Sequence, residues 1–172
     1  FGILGAKYVL NTLTDHGRAD VAYAIATQTD FPSWGHWLAQ GATTLWENWD
    51  GGCSRNHIMF GDITAWFQQT LAGIHADPAQ PGFQRILIRP YVVGDLTWAR
   101  GEVETIRGKV VSHWKKEAGG LSVELVVPVN ATALVYLPAA DPAKVTGEGA
   151  RFLRAEGDRL LYEVGSGRWF WH

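Results

Sequence analysis

The chain has 172 residues, enough for one domain or two small ones, and its 47% hydrophobic content is ordinary for a globular protein. A formal net charge of -2 and a pI near 6.3 give no electrostatic case for nucleic acid or an anionic membrane surface, and the apolar runs are too short to span a bilayer. A single cysteine, Cys53, excludes an intrachain disulfide, and the scattered His16, His36, His57, His75, His113 and His172 lack zinc-ligand spacing, so neither a metal nor another cofactor is expected.

The chain opens on Phe1-Gly2-Ile3-Leu4-Gly5, with no initiator Met and no signal-peptide n-region. It is therefore expected to be part of a longer polypeptide. Any secretion or lipidation signal would lie on the remainder, which leaves cytoplasmic and secreted locations equally open. Ile3, Ala6, Leu10 and Leu13 recur at helical spacing, and His16-Gly17 supplies a stop. Asp20 starts a second helix through Val21, Ala22, Ile25 and Ala26 to about Thr29, broken by Asp30-Phe31-Pro32-Ser33. An irregular stretch follows from Trp34 to about His57. A third helix is predicted from about Gly61 to Ile74, because Ile63, Trp66, Phe67, Thr70, Leu71 and Ile74 keep a regular three-and-four spacing.

The period changes after Ile74. Asp77-Pro78-Ala79-Gln80-Pro81-Gly82 reads as a linker, and short β-type runs follow. They are 85–88, 103–106, 110–114, 121–127, 133–137 and 160–164, separated by glycines. Leu121 to Leu125 alternates apolar and polar, as a strand with one wet face does. Pro90, Pro128 and Pro138 fall at strand ends, where a missing N–H does no harm. The expected organisation is a helical part over 1–76 and an antiparallel β-sandwich over 77–172, with no βαβ alternation and no phosphate loop. Residues 1–76 hold only three basic residues, Lys7, Arg18 and Arg55, against six acidic ones. So sparsely charged a helical part should have covered faces, by packing either on further helices or on a second copy of the chain.

Nine tryptophans are many for this length, and Trp34, Trp37, Trp46, Trp49 and Trp66 crowd into 34–66. They build an aromatic core or line a sugar cleft, since indole faces pack on the C–H faces of a pyranose. In Gly41-Ala42-Thr43-Thr44-Leu45-Trp46-Glu47-Asn48-Trp49-Asp50-Gly51, two carboxylates stand among tryptophans, and Ser54-Arg55-Asn56-His57 follows. Burying a carboxylate without a partner is costly, so this composition suits a site better than a plain core. A desolvated carboxylate acts on water or on a glycosidic oxygen. Asp50-Gly51-Gly52 reads as a turn, with Asp50 bonded to its own loop. Arg55 either pairs with Asp50 or Glu47 or is a solvated surface residue. Cys53 is read as a small tolerated residue rather than a nucleophile paired with His57. Trp98, Trp114, Trp169 and Trp171 are expected in the sandwich core or packed on the helical part.

These motifs, with Phe31-Pro32-Ser33-Trp34-Gly35 before them and Ile58-Met59-Phe60-Gly61, Ala72-Gly73-Ile74, Ile86-Leu87-Ile88-Arg89-Pro90, Asn130-Ala131-Thr132-Ala133 and Val135-Tyr136-Leu137-Pro138 after them, resemble bacterial α-L-rhamnosidases of glycoside hydrolase family 78. The resemblance runs from Gly2 to about Pro138. It implies the last helices of an (α/α)6 barrel followed by a C-terminal β-sandwich. It also implies hydrolysis of terminal α-L-rhamnosides with inversion, on a rhamnose-containing glycoside or polysaccharide. Glu47 matches the family's general base and His57 a histidine that contacts rhamnose. The general acid has no counterpart here, so this chain by itself is expected to be inactive. Trp46, Trp49 and Trp34 are carried as candidate sugar contacts. Only Gly51-Gly52-Cys53 stands where many members insert a longer loop, which bears on substrate preference. The competing reading is a non-catalytic carbohydrate-binding or structural sandwich module of a related (α/α)6 glycosidase.

Overall fold

Helix α1, Ile3–Asp15, buries Ala6, Leu10 and Thr14 along one stripe. Gly17 closes it at φ +75°, a left-handed conformation that suits glycine. Thr14 is the polar member of that stripe. Its hydroxyl donates to the Leu10 carbonyl at 2.9 Å and accepts the Trp66 indole N–H at 2.8 Å. Helix α2, Ala19–Ala26, buries three alanines and stops short of the expected Thr29. Helix α3, Trp34–Ala39, lies in the stretch expected to be irregular. The Ser33 hydroxyl caps it by accepting the His36 N–H at 2.9 Å, and Trp34 and Trp37 anchor it by burial. A 3-10 turn at Ile58–Phe60 leads into helix α4, Asp62–Trp66.

The computed structural model describes all of residues 1–172. The single helix expected from Gly61 to Ile74 is interrupted. After α4 the chain makes a π-helical turn, Phe67–Leu71, and emerges as strand β1, Ile74–Ala76. The wider π turn breaks the 3.6-residue phase that the apolar spacing had suggested. The chain divides into two units, Phe1–Phe67 and Gln68–His172. Strand pairing therefore begins before the expected 76/77 division, because Ile74, His75 and Ala76 pair with Ile88, Leu87 and Ile86.

The second unit holds two sheets. One orders β1, β2 (Arg85–Ile88), β6 (Thr132–Leu137), β8 (Arg159–Val164) and β7 (Arg151–Glu156) side by side. The other orders β3 (Trp98–Thr105), β4 (Gly108–Glu117), β5 (Gly120–Val127) and β9 (Gly167–Trp171). Five of the six predicted strand runs fall within these elements, the sixth overruns β3 by one residue because Ile106 lies in the turn to β4, and β1, β7 and β9 are additional. One pairing departs from the antiparallel expectation: β2 and β6 run parallel, with Arg85 opposite Thr132 and Ile88 opposite Val135. The β3–β5 meander of the other sheet intervenes between them, so no tight hairpin dictates their direction. Ile86, Ile88, Val110, Trp114, Leu125, Val135 and Leu160 form the core, all fully buried. Trp171 joins them and Trp169 packs on the core, whereas Trp98 is 57% exposed and lies outside that core.

Asp77 ties the start of this unit together. Its carboxylate accepts the Ala79 N–H at 2.8 Å and the Arg85 Nε–H at 2.5 Å. These bonds, the backbone one first, hold its pKa below the ordinary aspartate value. A depressed folded-state pKa adds stability above the unfolded pKa, and that stability is lost as pH falls through the folded value. Asp77→Asn is therefore expected to flatten the acid limb of stability between about pH 4 and 2, near and below the unperturbed aspartate pKa. Urea unfolding midpoints measured across that range for both chains test this; parallel acid limbs would reject it.

Candidate active site

The segment from Ala42 to His57 contains no regular helix or strand, yet it is firmly pinned. The Glu47 N–H donates to the Ser54 carbonyl at 2.8 Å and the His57 N–H to the Leu45 carbonyl at 2.9 Å. The Thr44 hydroxyl donates to the Arg55 carbonyl between the same two limbs. Main-chain pairing thus brings Glu47 and His57, ten positions apart, into one neighbourhood. Glu47 Oε2 accepts the Ser54 N–H at 3.2 Å and lies 4.0 Å from His57 Nδ1. The Glu47 side chain is 36% exposed and that of His57 34%, so both are shielded on one side and open to solvent on the other.

The tip of the loop is a tight turn. The Gly51 N–H donates to the Asn48 carbonyl at 3.2 Å, and Asp50 Oδ1 accepts the Gly52 N–H at 2.9 Å. Asp50 is thereby committed to its own turn, as its Gly-Gly context suggested. Gly51 sits at φ +69°, and a Cβ there would lie 2.7 Å from the Trp46 ring. Both the conformation and the packing exclude a side chain. Arg55 takes neither carboxylate as partner. Its guanidinium lies over the Trp46 ring at 4.6 Å from the centroid, and Nε donates to the Gly51 carbonyl at 3.2 Å. The exposed Cys53 sits on the same turn.

Beneath the loop the tryptophans pack on one another. Trp37 and Trp49 are 4.8 Å apart by ring centroid, Trp34 and Trp49 5.2 Å, Trp37 and Trp46 5.6 Å, and Phe60 lies 4.2 Å from Trp49. Trp34, Trp37 and Trp46 are buried and Trp49 half-buried. Three of the indole N–H groups are used internally: Trp37 donates to the Trp49 carbonyl at 2.8 Å, Trp34 to the Phe60 carbonyl at 3.1 Å and Trp49 to the Phe1 carbonyl at 2.8 Å. Of the two uses the sequence left open for this cluster, an aromatic core describes these contacts. The loop bearing Glu47 is consequently mounted on a stiff aromatic base, in which Phe60 has a share that its sequence context did not announce. The stacking of Arg55 on Trp46 was likewise invisible in sequence, since nothing in the spacing ties position 55 to position 46.

Comparison with known proteins places this arrangement. The model of the bacterial alpha-L-rhamnosidase six-hairpin glycosidase domain matches residues 1–71, and that of the bacterial alpha-L-rhamnosidase C-terminal domain matches residues 73–152. An alpha-L-rhamnosidase of Streptomyces avermitilis is 38% identical over 96% of this chain, and one of an Alteromonas species 30% identical over 87%. The chain spans 17% of the length of each. Among solved structures, the Streptomyces avermitilis alpha-L-rhamnosidase complexed with L-rhamnose superposes on 99% of the chain with a TM-score of 0.91. The alpha-L-rhamnosidase of Dictyoglumus thermophilum does so with a TM-score of 0.88 at 33% identity. A pinned carboxylate loop on an aromatic base, followed along the chain by a β-sandwich and matched over residues 1–71 and 73–152 by the two domain models, makes this chain a member of the bacterial alpha-L-rhamnosidase family.

Proposed function

We propose that the chain supplies the general base of a glycosidase that releases terminal α-L-rhamnose with inversion, and that the general acid lies on polypeptide outside these residues. The observation that carries this reading is the tethering of Glu47. One carboxylate oxygen, Oε2, accepts the Ser54 N–H at 3.2 Å, and the side chain as a whole is 36% exposed, within reach of water. A carboxylate so held takes a proton from a water without having to reorganise. An inverting enzyme sets its acid about 6.5–9.5 Å from its base, to leave room for that water. A retaining enzyme needs a second carboxyl at about 5–5.5 Å, and Asp50, the nearest in sequence, is occupied by its turn.

His57 contacts a rhamnose hydroxyl in this reading, its half-exposed ring standing beside the base. Among the tryptophans, Trp49 offers the sugar its half-buried ring, while the buried Trp34 supports that ring edge-on and the buried Trp46 acts only through Trp37 beside it. The substrate is a rhamnose-containing glycoside or polysaccharide, and the remaining barrel helices of the longer polypeptide complete the cleft.

The anomer formed first from an aryl α-L-rhamnoside tests the mechanism. Proton NMR during turnover by a longer polypeptide containing this chain should show β-L-rhamnose first, with the α anomer appearing by mutarotation. Initial release of the α anomer would reject inversion and, with it, the role of Glu47 as a base toward water. The 172-residue chain alone is expected to show no turnover above the rate in buffer, because it lacks the acid.

A further inference from the structure

Arg159 opens strand β8 and is only 7% exposed. A buried guanidinium is costly unless it is paired or fully hydrogen-bonded. Its Nη1 donates to the main-chain carbonyls of Pro90, at 2.9 Å, and Tyr136, at 3.3 Å, and its Cζ lies 4.6 Å from the centroid of the Tyr91 ring. These contacts orient the group and leave its charge uncompensated. A second guanidinium reaches the Tyr91 ring and, beside it, the ring of Tyr136. Arg89 Cζ is 6.0 Å from the Tyr91 centroid and 5.5 Å from that of Tyr136. Burial lowers the pKa of Arg159, Tyr91 works against that, repulsion from Arg89 adds to it, and the exposed Asp158 opposes it.

The frame that holds these groups is rigid. The Arg89 N–H donates to the Gly73 carbonyl at 2.8 Å and the Tyr91 N–H to the Thr70 carbonyl at 2.9 Å. Gly73 presses on Pro90 so closely that a Cβ there would lie 2.3 Å from the Pro90 nitrogen. Two like charges are thus held near each other around two phenol rings by backbone that cannot easily yield. Such an arrangement carries an electrostatic cost that an anion relieves. The planar donor forks of two arginines, rather than the point charges of lysines, match a carboxylate.

We infer that Arg89 and Arg159, set around Tyr91 and Tyr136 on the β-sandwich, form a binding site for a carboxylate group. The carboxylate belongs either to a soluble ligand such as a uronic acid or to an Asp or Glu side chain of the longer polypeptide. The test titrates the 172-residue chain with D-glucuronate and with malonate against chloride at constant ionic strength, following the Arg159 Nε–H signal and the unfolding midpoint. A saturable shift of the signal and a rise in midpoint are expected. Arg89→Gln, at an exposed position, should weaken the apparent affinity roughly tenfold or more, as expected for losing a charged hydrogen bond. Arg107→Gln, whose guanidinium binds the Gly82 and Asn130 carbonyls instead, should leave the affinity unchanged. Absence of a saturable shift, an equal shift in Arg89→Gln, or an equal response to sulfate overturns the assignment. The same titration on a longer polypeptide separates the sources. A retained response assigns a ligand carboxylate, whereas a lost response together with a lower midpoint in Arg89→Gln assigns a side chain of that polypeptide. A longer polypeptide that shows no response to either carboxylate and no change of midpoint in Arg89→Gln overturns the site.

Discussion

Glu47→Gln, placed in a rhamnosidase polypeptide that contains this chain, is expected to lower kcat on an aryl α-L-rhamnoside by about 10²–10⁴-fold, the usual contribution of a positioned general base. On the scale of 1.36 kcal/mol per decade, that is about 3–5 kcal/mol of transition-state stabilisation. Rhamnose binding in the ground state should change by no more than a few-fold. The reason lies in the geometry of the loop. The amide oxygen of Gln still accepts the Ser54 N–H, and the backbone bonds from Glu47 to Ser54 and from His57 to Leu45 involve no side chain. The substitution therefore removes basicity while leaving the turn and its aromatic base in place. With an activated aryl leaving group the acid matters less, so the measured loss reports mainly on the base. A loss of kcat with unchanged rhamnose affinity, partly restored by azide as a substitute nucleophile, supports the role of Glu47. A matching loss of rhamnose affinity would make Glu47 a binding or structural residue. Undiminished turnover would move the base elsewhere.

Elements were legible in the sequence where the local pattern and the tertiary environment agree. Helix α1 shows its buried stripe as Ala6 and Leu10, and β5 shows its alternation, because each has one covered and one open face. Helix α3 was not legible. It has six residues and a glycine inside it, too little for periodicity, and is held by the Ser33 cap and by the burial of Trp34 and Trp37. The end of the third helix was misread for a related reason. Apolar residues continue in phase to Ile74, but Ile74 is buried as part of β1 after a π turn, and periodicity does not separate those two kinds of burial. Strand β7, Arg151 to Glu156 at a sheet edge, has no period of two, its arginines standing three apart across a register shift, and nothing in it alone distinguishes an edge strand from a charged loop.

The candidate site divides along the same line. Glu47 stood out because a carboxylate between tryptophans needs an explanation, and the turn at Asp50 followed from its glycines. The partners that hold Glu47 are backbone groups of Ser54, and backbone groups have no signature in composition. Likewise, the choice of Arg55 between carboxylate, ring and solvent is decided by where Gly51 lets the chain turn, which only the folded loop shows.

Trp114→Ala should be the most damaging single truncation in the sandwich, costing about 4–6 kcal/mol. Emptying a fully buried aromatic site costs about 3–5 kcal/mol in transfer and cavity terms. A second loss is specific to this residue. The Trp114 indole N–H donates at 2.7 Å to the Leu71 carbonyl, on the π turn just before β1, and Leu71 is itself buried. A buried carbonyl left without a donor costs about 1–3 kcal/mol more, and the two terms overlap because the cavity admits some relaxation or water. The sum approaches the total stability of an ordinary domain, about 5–15 kcal/mol, so the variant should be partly unfolded at 37 °C. Trp114→Phe separates the contributions. It keeps most of the ring but removes the donor, and should cost about 1–3 kcal/mol in excess of its small cavity. Urea unfolding followed by far-UV circular dichroism measures both. If Phe costs nearly as much as Ala, the hydrogen bond that pins the π turn to β4 dominates, and Leu71 would lose hydrogen-exchange protection in both variants. If Phe is nearly neutral, ring volume alone holds Trp114 in the core, and the π turn keeps its shape without it.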